Sequence, residues 1–201
     1  DEGYRRFVEM VTPLNKPIFW IPGNHDFQPK MVEHLNKTPI ESAKHLLLGK
    51  YWQALLLDSQ VYGVPHGQLS QHQLNLLEEK LAQHPNRYTL VVLHHHLLPT
   101  NSAWLDQHNL RNSHELAEVL GKFSNVKGIL YGHIHQEVNA LWNGYQVMAT
   151  PATSIQFKPD SHHFTLDNLQ PGWREIELHE NGSIYTQVKR IQEAQFLPNM
   201  Q

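Results

Sequence analysis

Val126-Lys127-Gly128-Ile129-Leu130-Tyr131-Gly132-His133-Ile134-His135 is the stretch that decides the fold. Its first six residues read as a β-strand, and Gly132 closes it. In an extended segment residues i and i+2 point to one side. His133 and His135 are therefore expected to aim two imidazoles at one site, each offering a nitrogen to a metal. Two histidines at this spacing are also common on ordinary surfaces, so the reading turns on what other strand ends carry.

Two other strand ends carry matching chemistry. Ile18-Phe19-Trp20-Ile21 is a short apolar run, expected as a strand buried on both faces, and it runs into Pro22-Gly23-Asn24-His25-Asp26. Glycine there allows a tight turn and a close approach to a ligand. Asn24 supplies a neutral oxygen, His25 an acid/base group, and Asp26 an acceptor able to orient that imidazole. The same residues also suit a plain Asn/Asp turn. Leu90-Val91-Val92-Leu93 is a third apolar run, followed by His94-His95-His96. Strand alternation predicts that the three cannot all face one site, leaving one as a ligand and a neighbour as a supporting or substrate contact. In open α/β sheets ligands sit at the carboxyl ends of strands, and here three strand ends carry metal-ligating residue types.

The 201 residues suffice for one domain with a real core. Apolar residues make up 40%, and the formal net charge of −3 argues against a basic nucleic-acid groove. No apolar run has membrane-spanning length. The absence of cysteine excludes a disulfide scaffold and thiolate chemistry, and fits a reducing cytoplasm. Sixteen histidines are the compositional anomaly and raise the prior for imidazole–metal chemistry. The chain opens on Asp1 inside a helical pattern of Tyr4, Phe7, Val8 and Val11, as expected of a piece of a longer protein.

Between the motifs, residues 28–50 are expected to be mixed and helical in part, with Leu46-Leu47-Leu48 packing. Ala54-Leu55-Leu56-Leu57 reads as a buried strand ending at Asp58-Ser59. Ser70 and Gln73 have capping-box spacing before a helix with Leu74, Leu77 and Leu81 on its inner face, ending near His84-Pro85. Residues 104–111 read as a polar loop. Asn112 or Ser113 starts a helix carrying Leu116, Ala117, Val119, Leu120 and Phe123. Asn143-Gly144 signals a hairpin, Thr150 to Phe157 a loop, and Asn181-Gly182 a second hairpin joining Trp173–Leu178 to Ile184–Arg190.

Gly23-Asn24-His25-Asp26, a histidine run after a strand, and Gly132-His133-Ile134-His135 resemble, in order and rough spacing, the calcineurin-like metallophosphoesterases. Trp20 to Pro29, Leu55 to Gln60, Gly63 to Gly67, Trp104 to His108, Thr165 to Asp167 and Pro171 to Arg174 further resemble the bacterial class III 3′,5′-cyclic AMP phosphodiesterases. The resemblance spans essentially the whole chain. It implies an α/β fold, a two-sheet sandwich flanked by helices, as one domain over residues 1–201, with a binuclear metal site. Carried onto this sequence, Asn24, His94 and His133 hold one metal, with His95 the alternative to His94, and His135 belongs to the other. His25 contacts the phosphate and acts as general acid, oriented by Asp26; Asn24, His25 and His135 meet the substrate. The resemblance implies two divalent ions, Fe²⁺ or Mn²⁺ with Zn²⁺ as the alternative; nitrogen and oxygen donors without thiolate suit all three and do not choose between them.

The family's Asp-x-His and Gly-Asp motifs do not occur before Gly23. The expectation is that the first strands of the sheet are missing, and that these residues alone bind metal poorly and are nearly inactive. For the parent enzyme the resemblance implies hydrolysis of cyclic AMP to 5′-AMP in the cytoplasm, on a small-molecule cyclic nucleotide, with no nucleic-acid or membrane partner. Trp104 and the Thr153-Ser154 loop are candidate walls for the base and ribose. The competing readings are a phosphodiesterase for another diester, such as a glycerophosphodiester or nucleotide sugar, and a non-catalytic scaffold on the same fold.

Overall fold

The computed structural model describes residues 1–37, 39–192 and 196–197. Its centre is a six-stranded sheet in the order β3-β4-β5-β6-β8-β7, built from β3 (His45–Leu48), β4 (Trp52–Leu56), β5 (Tyr88–Leu93), β6 (Val126–Tyr131), β7 (Val138–Trp142) and β8 (Tyr145–Ala149). The four inner strands run parallel and the two edge strands antiparallel. Every residue of β4 is buried, as expected for a parallel strand covered on both faces. Even its polar Gln53 is satisfied, donating to Thr89 Oγ1 at 2.8 Å and lying 2.8 Å from His45 Nε2.

The period-2 alternation sorts the two faces. Leu55, Leu57, Val91, Leu93, Ile129 and Val147 meet the leucines of α3 (Gln71–Gln83) and α4 (Ser113–Leu120). Ser70 caps α3, its Oγ accepting from Gln73 N at 3.3 Å. The Gln73 side chain does not reach back to complete a capping box; its Oε1 accepts from Asp58 N at 3.0 Å. Phe123 lies beyond the end of α4 but still packs on this core.

The opposite face, with Trp52, Leu90 and Met148, is covered by an antiparallel ribbon of β11 (Gly172–Leu178) and β12 (Ile184–Arg190) through Ile176, Leu178 and Ile184. This ribbon is the second layer of the expected sandwich; among the described residues that layer is two strands wide, and both crossover helices lie on the other side. Gly128 lets it close: a Cβ there would come within 2.6 Å of Ile184 Cδ1. Arg174 pins the ribbon to the sheet edge, donating to Ala149 O at 2.7 Å, Val138 O at 3.1 Å and Asn139 Oδ1 at 2.8 Å. Both Asn-Gly turns appear where the sequence places them, with positive φ at Asn143, Gly144 and Gly182.

Two expectations need correction. Ile18–Ile21 is not a doubly buried strand of the main sheet. Only β1 (Ile18–Phe19) is extended; it is half-buried and pairs in parallel with β2 (Ile40–Glu41) in a separate two-stranded sheet. It packs with α1 (Glu2–Val11) and α2 (Gln28–Leu35) around Met31, Leu35 and Ile40. Leu46–Leu48, expected to pack, is most of edge strand β3, where Leu47 is exposed. No helix among the described residues is long and apolar enough to cross a membrane.

Candidate active site

The loops leaving β4, β5, β6 and β8 gather at one edge of the sheet, the carboxyl edge where α/β sheets bind ligands. His94 follows β5 directly, and His133 follows β6 after one glycine. Asn24 comes from the turn after β1. Their donors converge: His94 Nε2 lies 3.1 Å from Asn24 Oδ1, His133 Nδ1 lies 3.2 Å from the same oxygen, and the two ring nitrogens are 3.1 Å apart. An ion about 2.1 Å from each of three ligands needs donor separations of roughly 3.0–3.4 Å, from octahedral to tetrahedral angles. The triad therefore fits a divalent cation. Burial lowers the His94 pKa to about 4, against the pull of Asp26, and lowers that of His133 as well. At neutral pH both imidazoles are neutral, the form that ligates a metal.

The backbone reaches this arrangement by a route the sequence does not announce. β6 ends at Tyr131, and the following residues are not extended. His133 and His135 both have positive φ, 68° and 52°, and Ile134 N donates to Gly132 O at 2.8 Å. The expected i, i+2 strand geometry is thus wrong, although both side chains line the same cavity. Left-handed φ at non-glycine residues is strained, and such strain gathers at functional sites. Likewise β5 stops at Leu93, so alternation no longer governs the histidine run. The rings of His94, His95 and His96 all pack around His133, with centroids at 4.9, 4.8 and 5.5 Å.

The three neighbours differ in what their nitrogens do. His95 Nδ1 is engaged with Ser59 Oγ at 2.8 Å, and its Nε2 is buried without a partner. Burial lowers the His95 pKa to about 3. His94, His95 and His133 nitrogens lie within 4.8 Å of one another; His94 and His133 also contact Asn24, and His95 does not among the described hydrogen bonds. His96 is fully buried, stacks on His133 and sits 3.8 Å from Asp106. Gly23 allows the close approach of this cluster: a Cβ would sit 2.9 Å from His94 Cε1.

His135 Nδ1 lies 2.8 Å from Ile155 O. A carbonyl can only accept, so Nδ1 carries the proton and Nε2 keeps its lone pair. Burial lowers this pKa too, with the Ile155 bond opposing. His25 is exposed and lines the cavity. Asp26 does not orient it among the described hydrogen bonds. Its Oδ2 accepts from Gly23 N at 2.8 Å and its Oδ1 from Tyr4 Oη at 2.9 Å. Asp26 instead clamps the turn and ties it to α1. A second clamp, Gln60, had no sequence signal of its own: its Nε2 donates to Gly23 O at 2.6 Å and Asp26 O at 2.7 Å.

Asn24, His25, Asp26, His94, His133 and His135 share a cavity of about 500 Å³ with Trp104, His108, Phe157 and Phe164. Trp104 lines this cavity. Thr153 and Ser154 border the histidines from a separate cavity of about 330 Å³. Phe157 and Phe164 escaped the sequence reading, because a phenylalanine in a loop carries no spacing signal.

Comparison with known proteins fits this geometry. A 3′,5′-cyclic adenosine monophosphate phosphodiesterase, CpdA, of Haemophilus influenzae is 80% identical over 201 residues, all of this chain and 73% of that protein. The protein of that name from Escherichia coli K12 is 53% identical, over 98% of this chain and 72% of its own length. A solved structure of a candidate 5′-nucleotidase from Staphylococcus aureus, in complex with α-ketoglutarate, shares the fold with a TM-score of 0.54 at 11% identity, over 96% of this chain and 41% of its own. The family model described as calcineurin-like phosphoesterase matches residues 1–137, and the chain belongs to that family.

Proposed function

We propose that this protein hydrolyses 3′,5′-cyclic AMP to 5′-AMP, using a divalent metal centre in the cavity lined by Asn24, His25, His94, His133 and His135. The observation that carries the proposal is the convergence of three metal-competent donors at 3.1–3.2 Å in the cavity that also holds His25. The names of the Haemophilus influenzae and Escherichia coli relatives support the substrate. In this reading residues 1–201 belong to the single metallophosphoesterase domain of the parent enzyme, which works on a small cyclic nucleotide in the cytoplasm.

Asn24, His94 and His133 would hold one ion, and His135, through its free Nε2, a second; nitrogen and oxygen donors without thiolate suit Fe²⁺, Mn²⁺ or Zn²⁺. Divalent cations supply neutralisation of the phosphate charge and acidification of the attacking water. The chain's own residues do the rest. The clamped Gly23–Asp26 turn fixes His25 at the cavity wall, beside the ligand triad. As the oxygen of the attacking water, which gives up one proton to solvent, bonds to phosphorus and the bond to O3′ breaks, His25 would give its proton to the departing O3′, and the product is 5′-AMP.

The test is turnover by the full-length, metal-loaded parent enzyme on cyclic AMP, cyclic GMP and bis(p-nitrophenyl) phosphate, with products separated by chromatography. Formation of 5′-AMP, lost on chelation and restored by a divalent cation, is expected. Turnover of the generic diester without cyclic AMP would point to another natural diester. No turnover of any diester would favour a non-catalytic scaffold.

A further inference from the structure

We propose that Trp104, Phe157 and Phe164 form a stacking site for the nucleobase, a specificity element of the cavity separate from the groups that handle the phosphate. The inference rests on the cyclic-nucleotide reading above and says how that substrate is chosen.

The three rings pack pairwise edge to face. Trp104–Phe157 centroids are 5.1 Å apart at 77°, Trp104–Phe164 5.2 Å at 73°, and Phe157–Phe164 5.4 Å at 69°. They come from two loops that are tied together, because Ser161 N donates to Ser102 Oγ at 3.1 Å. Each loop is braced in turn. Thr100 donates through N and Oγ1 to Asp106 Oδ1, both at 2.7 Å. Lys158 N donates to Thr165 O at 2.9 Å beside the short pairing of β9 (Gln156–Phe157) with β10 (Leu166–Asp167). The aromatic cluster is thus assembled before any ligand arrives.

Its placement gives it a use. Phe157 stacks flat on His135, with centroids at 4.0 Å and planes 3° apart, so the cluster starts one ring away from the phosphate-handling imidazoles. At its outer end Phe164 is 58% exposed, which adds little to folding but keeps an aromatic surface open to the cavity. A cyclic nucleotide has the matching layout, an anionic phosphate at one end and a flat, weakly hydrated base at the other. Stacking a base on such rings binds any π-face without reading its edge.

The experiment compares ligands with and without a base on the metal-loaded protein: 5′-AMP against ribose 5-phosphate, followed by tryptophan fluorescence and equilibrium dialysis, together with KM for cyclic AMP. In the wild type, 5′-AMP is expected to quench Trp104 and bind more tightly than ribose 5-phosphate. Phe164→Ala and Trp104→Ala should each weaken 5′-AMP and raise KM for cyclic AMP by about 5- to 100-fold, and leave ribose 5-phosphate affinity unchanged. Phe164→Tyr, which keeps the ring, should restore the wild-type value. Phe164 is exposed enough that its truncation spares the core. Equal weakening of both ligands, or no weakening of either, overturns the stacking site while cyclic AMP turnover by the wild type keeps the phosphodiesterase reading standing. A wild type that turns over bis(p-nitrophenyl) phosphate but not cyclic AMP overturns both.

Discussion

Gln60→Leu is the sharpest test of how the site loop is held. The Gln60 amide donates to Gly23 O and Asp26 O at 2.6 and 2.7 Å and accepts from Gln28 Nε2 at 2.9 Å. Gln28 also donates to Asp58 Oδ2 at 2.7 Å, and Asp58 Oδ1 accepts from Gln60 N at 2.9 Å. Leucine keeps the bulk and removes three side-chain bonds, two of which join the Asp26 clamp in holding the turn carrying Asn24 and His25. At about 1 kcal/mol net per bond, with Asp26 O left short of a donor while Gly23 O keeps the Asp26 N–H at 3.1 Å, the cost is about 2–3 kcal/mol. For a chain of this size that lowers Tm by about 4–12 °C. A displacement of His25 and Asn24 by even about 1 Å should cut kcat/KM for cyclic AMP by about 100-fold. Thermal unfolding and steady-state kinetics on the metal-loaded protein read the two effects. Gln60→Glu is the control: it keeps the length but turns an oxygen on the two carbonyls, so it should be no better than leucine at pH 8. Wild-type stability and activity in both variants would refute the clamp.

Three other outcomes follow from the geometry. Gly23→Ala places a methyl 2.9 Å from His94 Cε1, so the ring must shift; bound metal measured by elemental analysis should fall well below the wild-type content, and an unchanged content would contradict the contact. His25→Ala removes a side chain that none of the ligand contacts uses, so metal content should persist while turnover of cyclic AMP drops about 100-fold or more; undiminished turnover would remove the general-acid role. Lys44 is half-buried over the Trp20 ring, 3.6 Å from its centroid, and donates to Trp20 O; burial, opposed by Asp58, brings its pKa down to about 8. Between pH 8 and its ordinary value near 10.5 the unfolded chain binds the extra proton, so stability rises with pH across that window and is flat in this respect below it. The Tm difference between wild type and Lys44→Met should therefore move in favour of the wild type from pH 7.5 to 10, and a constant difference would refute the lowered pKa.

Much of this molecule is legible in its sequence where local rules hold. The Asn143-Gly144 and Asn181-Gly182 turns fix two hairpins because few residues accept positive φ. Ser70 and the leucines at 74, 77 and 81 fix α3 because a cap and a 3.6-residue period act within a few turns. The three ligand-bearing strand ends are readable because apolar runs stop abruptly at polar residues. What local rules cannot reach is how those ends bend. His133 and His135 meet one cavity through left-handed backbone, not through strand alternation, and the histidines at 94–96 surround His133 because β5 has already ended. The role of Asp26 depended on Tyr4, 22 residues away, competing for its carboxylate. Gln60, Phe157 and Phe164 gain meaning only from partners distant in sequence. Ile18–Ile21 has the composition of a central strand, and its place in a separate two-stranded sheet is set by tertiary pairing that composition does not encode.

The most direct measurement is an anomalous-scattering map from crystals grown with Mn²⁺ or Zn²⁺. It should show a peak about 2.0–2.2 Å from His94 Nε2, His133 Nδ1 and Asn24 Oδ1 together. A peak held by His95 in place of His94, or density only outside this cavity, would contradict the site.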